Sequence, residues 1–136
     1  MTNFNLIEDK ISQTRKYLKI VERYKKYSRA EIEDNVDVRG MVERYLYLSV
    51  QSAIDLAETT ISFKKLRKPT TMGESFNILE EDGIIDLELA KKMIAMTGFR
   101  NVVAHDYEKI NYDIVYDILH NRLSDIEKFL TIVEKI

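Results

Sequence analysis

Cysteine and tryptophan are absent from this 136-residue chain, proline occurs once and glycine four times. Without cysteine there is no disulfide scaffold, no thiolate-held zinc or iron–sulfur cluster and no thiol nucleophile. Few glycines and a single proline leave little to interrupt helices, so long helices are the first expectation. No apolar run approaches the ~18 residues of a membrane span. Residues 1–11 are polar and mixed, unlike a signal peptide. The expectation is a cytoplasmic chain with no membrane contact. An excess of one charge is also missing: 21 Lys and Arg stand against 23 Asp and Glu, a net charge of −2. A whole-molecule basic field for nucleic acid is therefore excluded. There is no Gly-rich phosphate loop and no Gly-x-Ser-x-Gly elbow.

What is present is an ordinary globular balance, 45% hydrophobic and 32% charged. The length suits one domain, residues 1–136, able to bury roughly 68% of its unfolded surface. The near-neutral total hides segregation. Cations dominate residues 10–29, with Glu22 the only acid among them, and recur at Lys64, Lys65, Arg67 and Lys68. Acids collect in residues 31–37 and 74–88.

Apolar spacing predicts about five helices. Phe4, Ile7, Ile11, Leu18, Val21 and Tyr24 mark a first helix over residues 3–27. Ser28 followed by Glu31 fits a capping box, leading into a turn or short helical piece over 31–37. A second helix is predicted over 37–66, ended by Pro69. Its apolar residues cover more than one face, so it is expected to be central. Thr71 and Glu74 start a short third helix that Gly83 closes. Asp86 caps a fourth, with Ile85 and Ala90 spaced as a hydrophobic staple. Asn111 caps a fifth that runs to the C-terminus. The fold class is all-α, a compact helical bundle.

One segment departs from this apolar plan. The end of the fourth helix reads Gly98-Phe99-Arg100-Asn101-Val102-Val103-Ala104-His105-Asp106-Tyr107. At about 100° per residue, Arg100 and Tyr107 would lie ~20° apart on a continued helix and Asn101 and His105 ~40° apart, two adjoining polar pairs; if the helix ends near His105, Tyr107 lies instead on an exposed loop. Phosphodiester cleavage in RNA needs an Arg and a His with neither a metal nor a nucleophilic side chain. There the 2′-hydroxyl attacks, His105 would move a proton and Arg100 would hold the phosphate. A structural reading stands beside this one, since a His near a helix end also serves as a cap and an Arg as an ion-pair partner.

The run Arg100 to Tyr107 resembles the R-x4-H-x-Y motif of the HEPN-domain family. More narrowly it is similar to the HepT toxins of HEPN/minimal-nucleotidyltransferase toxin–antitoxin pairs. Glu43-Arg44-Tyr45-Leu46 through Ala53-Ile54-Asp55-Leu56-Ala57, and residues 69–76 and 79–85, match the family as well. The resemblance implies a HEPN-like homodimer whose two motifs meet in a cleft. It also implies a metal-independent endoribonuclease without cofactor, with Arg100 and His105 catalytic and Asn101 supporting. A cognate minimal nucleotidyltransferase antitoxin would silence it by transferring AMP to Tyr107. RNA, the antitoxin and a second copy are the implied partners. The alternative is a non-catalytic helical partner of a nucleotidyltransferase on the same bundle.

Other residues carry weaker signals. His120 has no ligand partner three or four residues away and reads as structural or surface. Asp55 and Glu58 share a helix face and suit ion pairing. Tyr17, Tyr24 and Tyr27 among the first helix's cations suit either stacking on RNA or packing in the core, and the core reading is preferred.

Overall fold

Most of the helix starts are written in side chains that accept hydrogen bonds from backbone N–H groups, and the computed structural model uses them. It describes residues 3–136. The first two residues, with which the expected domain begins, lie outside the described residues.

Helix α1 (Asn3–Glu22) tightens into a 3₁₀ turn (Arg23–Lys26), so the α-helix stops five residues short of the expected end. Tyr27 is extended, which frees Ser28 to cap α2 (Arg29–Asp34). The Ser28 hydroxyl accepts from the Glu31 N–H at 3.1 Å, and the Glu31 carboxylate accepts from the Ser28 N–H at 3.0 Å. Asn35 then accepts from the N–H groups of Asp37 and Val38 and starts α3 (Val36–Phe63).

Pro69 does not end α3. The helix closes earlier, at Phe63, where Lys65 adopts the left-handed conformation (φ 57°). There the Leu66 N–H reaches the Ile61 carbonyl at 3.0 Å and the Lys65 N–H the Ser62 carbonyl at 3.2 Å. This two-bond closure normally recruits glycine, and a side chain there costs on the order of 1–2 kcal/mol. Helix α4 (Glu74–Glu81) ends the same way with the expected Gly83 (φ 77°), using Ile84 to Leu79 and Gly83 to Glu80 bonds of 2.9 Å. Its start uses Thr71, whose hydroxyl accepts from the Glu74 N–H at 3.1 Å.

Asp86 caps α5 (Leu87–His105) through the Leu89 N–H at 2.8 Å. The expected last helix is broken. It comprises α6 (Tyr112–Asp117), a wide π turn (Ile118–Arg122) and α7 (Leu123–Glu134). The extra residue of a π turn shifts the register of the apolar face. Val115, Ile118 and Leu119 before it and Leu123, Ile126 and Leu130 beyond it are all buried.

Helix α3 is the central element, touching α1, α2, α4, α5 and α7. Its buried residues include Val42, Leu46, Val50, Ile54, Leu56 and Ile61, and they join one core with Phe76 of α4, Met93 of α5 and Phe129 of α7. Phe76 and Phe129 meet edge to face at 5.4 Å. Inside the α1–α3 seam, Thr14 and Ser52 lie 2.5 Å apart. Thr14 gives its proton to the Lys10 carbonyl at 2.7 Å, so Ser52 donates to Thr14. No strand occurs among the described residues.

The basic first helix is partly a docking face. Arg15 reaches Glu127 at 2.9 Å and Glu134 at 2.6 Å on α7. Tyr24 and Tyr27 stack at 5.9 Å and pack on the core, in line with the core reading of these residues. His120 is structural: its ring nitrogens lie 2.8 Å from the Lys25 carbonyl and 3.1 Å from that of Tyr116, whose ring it stacks against at 4.0 Å.

Candidate active site

The end of α5 lies against the first half of α3, and the two helices share the polar residues of the site. Arg100 is half-buried. Its Nε donates to Gln51 Oε1 at 2.6 Å, one terminal nitrogen to Asn101 Oδ1 at 3.0 Å and the other to the Tyr47 hydroxyl at 3.3 Å. The guanidinium carbon also sits 5.3 Å from the centre of the Tyr47 ring. Behind this, Gln51 Nε2 donates to Asp55 at 2.9 Å, and Asp55 lies 3.8 Å from Lys10. Every direct partner of Arg100 is neutral. Its charge is held in place without being cancelled, and two of the five guanidinium N–H donors remain for a ligand.

His105 is the last residue of α5 and is exposed. Among the described residues its ring makes no hydrogen bond. Asn101 is exposed as well, and its amide oxygen is committed to Arg100.

The helix does not continue to Tyr107. Asp106 leaves helical geometry (φ −145°, ψ 47°) and Tyr107 opens a separate 3₁₀ turn, Tyr107–Lys109. The shared face of Arg100 and Tyr107 is therefore not formed. Instead Tyr107, 54% exposed, stands on a surface turn with its hydroxyl donating to Glu43 Oε1 at 2.8 Å. Glu43 is 4% exposed, and its other oxygen accepts from the Tyr112 hydroxyl at 2.8 Å. The bond to Glu43, and then burial, push the Tyr107 phenol above its usual range. Burial, and then the same carboxylate, push the Tyr112 phenol up further.

Sequence reading had not singled out Glu43, Tyr47, Gln51 or Tyr112 for the site. A signal existed. Glu43, Tyr47, Gln51 and Asp55 recur every four residues, a polar stripe along an otherwise apolar helix. A cavity of about 490 Å³ opens between this stripe and α5, with Glu43, Tyr47, Val103, Ala104 and Tyr107 in its walls. No group of three or more His, Asp or Glu side chains suited to a metal occurs among the described residues. No helix there is long and apolar enough to cross a membrane.

The description "Ribonuclease HepT-like" belongs to a family model that matches residues 14–133, including Glu43, Tyr47, Gln51, Arg100, Asn101, His105 and Tyr107. The chain belongs to the ribonuclease HepT-like family. One HepT relative, the mRNA nuclease HepT of Shewanella oneidensis, is 30% identical over 62% of this chain and 63% of its own length, so the match spans slightly less than two thirds of that protein. The tRNA nuclease HepT of Aphanizomenon flos-aquae is 30% identical over 85% of this chain and 80% of its own. Among solved structures, the tri-AMPylated Shewanella oneidensis HEPN toxin in complex with its MNT antitoxin superimposes with a TM-score of 0.89 at 24% identity, over the full length of both chains. The HepT-like fold is thus shared end to end.

Proposed function

We propose that the chain is a metal-independent endoribonuclease, the toxin of a toxin–antitoxin pair, with Arg100 and His105 as its catalytic residues and Asn101 in support. The observation that carries this reading is the state of Arg100, a guanidinium fixed by neutral partners and left with donors for a phosphate. In the reaction the RNA 2′-oxygen bonds to phosphorus and the 5′-oxygen leaves. Arg100 stabilises the charge gathering on the non-bridging oxygens. His105 moves the proton, a role worth ~10²–10⁴-fold.

The exposed, unpartnered ring of His105 fits a composite site, in which a second copy of the chain faces it across a two-fold axis. Silencing follows from Tyr107. A minimal nucleotidyltransferase antitoxin directs its phenol oxygen onto the α-phosphorus of ATP, pyrophosphate leaves, and AMP stays attached beside the site. The AMPylated state named for the Shewanella structure supports this. The protein acts in the cytoplasm, as one catalytic domain spanning residues 1–136.

The test is RNA cleavage by the purified chain in EDTA. Cleavage is expected to persist there and to vanish in His105→Ala. A metal requirement, or full activity in that variant, refutes the reading. Intact-mass measurement after incubation with ATP and the antitoxin should show AMP on Tyr107 and lost cleavage.

A further inference from the structure

Four arginines of this protein are answered by acids. Arg15, Arg29, Arg67 and Arg122 each pair with one or more carboxylates. Arg44, exposed on α3, makes no hydrogen bond or ion pair among the described residues, and it lines the cavity together with Tyr47 and Tyr107. Its chain neighbour Glu43 stands in the same wall but does not pair with it, because that carboxylate is buried and accepts a tyrosine hydroxyl on each oxygen.

The cavity has the other features a nucleotide needs. Its volume of about 490 Å³ falls within the ~300–1,000 Å³ of small-molecule sites. Tyr47 and Tyr107 supply aromatic rings, and Val103 and Ala104 an apolar floor. Gly40, one turn before Arg44, leaves open space where a side chain would stand, since a Cβ there would meet nothing within 4 Å. Space, charge and ring thus follow one another along one strip of α3, at Gly40, Arg44 and Tyr47.

We propose that this cavity is a subsite for one nucleoside monophosphate unit, with Arg44 as its phosphate contact and Tyr47 and Tyr107 as its base-stacking side chains. Stacking with a charged phosphate contact binds nucleotides with little regard to sequence. Resting on the proposed function, the inference gives the unit two sources: a nucleotide of RNA next to the cut, and the adenylyl group carried by Tyr107. Both would fill the same space, so the modification would exclude RNA by occupying its subsite.

The experiment is calorimetric titration of the full-length chain with AMP. Saturable binding at one site per chain is expected, weaker by about tenfold or more for adenosine, which lacks the phosphate, and for Arg44→Ala. Gly40→Leu, which fills the cavity while favouring the helix, should weaken AMP similarly. No AMP binding at millimolar concentration, or binding unchanged in both variants, overturns the subsite. Two arms separate the sources. If RNA uses the subsite, Arg44→Ala raises KM for cleavage more than it lowers kcat, and an unchanged KM overturns that use. If the adenylyl group uses it, the AMPylated chain no longer binds free AMP, and retained binding overturns that use. A chain that binds AMP but cleaves no RNA refutes the proposed activity alone, and one that cleaves RNA but ignores AMP refutes the subsite alone.

Discussion

Arg100 and His105 stand five residues apart on the same helix in opposite circumstances. Arg100 is half-buried and held by Gln51, Tyr47 and Asn101. His105 is exposed at the helix end, and nothing in the described chain orients its ring. On the proposed reading, the fold organises the phosphate-binding half of the site in advance and leaves the proton-transfer half to be completed from outside, by substrate or by a second copy. Preorganised charge contributes without rearrangement during the reaction, while an imidazole needs only to reach its proton.

The largest expected effect is on chemistry. Arg100→Ala and His105→Ala should each lower RNA cleavage by at least ~10²-fold. Their stabilities should differ. Removing exposed His105 should change unfolding free energy by less than ~0.5 kcal/mol. Removing Arg100 orphans Gln51 and Tyr47 and should cost about 1 kcal/mol. Chemical denaturation measures both, and equal costs would break the contrast. A mixture of the two variant chains should then regain cleavage, because one protomer would lend its Arg100 and the other its His105. Absence of recovery would place both residues in one protomer's site.

Next in size is the anchor behind Arg100. Gln51→Leu removes the partner of Nε and should reduce kcat/KM by about tenfold, the cost of roughly one hydrogen bond to a charged group. Gln51→Glu keeps an acceptor in place but pairs the guanidinium with a carboxylate, so it should reduce activity at least as much. Wild-type rates in Gln51→Glu would show that the neutrality of Arg100's surroundings is unimportant.

The smallest effect is on titration. Glu43 favours the neutral phenol of Tyr107 and raises it above its ordinary value of 10.0. A group raised in the folded state contributes stability that is complete below its unfolded value and lost as pH climbs through its folded one. Alkaline pH, above 10, is therefore where this contact weakens. Phenolate absorbance, taken as the difference between wild type and Tyr107→Phe, should show a midpoint above the ordinary one. The midpoint should fall in Glu43→Gln, and an unmoved midpoint would show that Glu43 does not hold this hydroxyl.

The chain's helical plan was largely legible because it rests on local chemistry. Ser28, Asp86, Asn111 and Gly83 each act at the position their side chains or φ demand. The reading failed where a local rule was overruled. Pro69 is a strong stop signal, but Lys65 closed α3 first, accepting the left-handed conformation because Leu66 packs on the core beyond it. The break in the last helix had no sequence marker, since the π turn is fixed by packing on both sides of it and by His120 reaching Lys25.

The site divides in the same way. The Arg100-to-His105 spacing was visible because both lie on one helix, where the period sets their relation. The partners were not, because Gln51 and Tyr47 meet Arg100 across about fifty residues of chain, and Glu43 meets Tyr107 across more.

The sequence by itself determined the helices, their caps, the core face of α3 and a motif whose residue types suit RNA chemistry, because each depends on neighbours within a turn or two. Only the tertiary structure decided that Arg100 keeps its charge unpaired, that Tyr107 bonds a buried carboxylate, and that Arg44 lines an open cavity with Tyr47 and Tyr107. Those outcomes depend on which side chains two packed helices bring within ~3 Å of each other, a distance that no periodicity along one chain encodes.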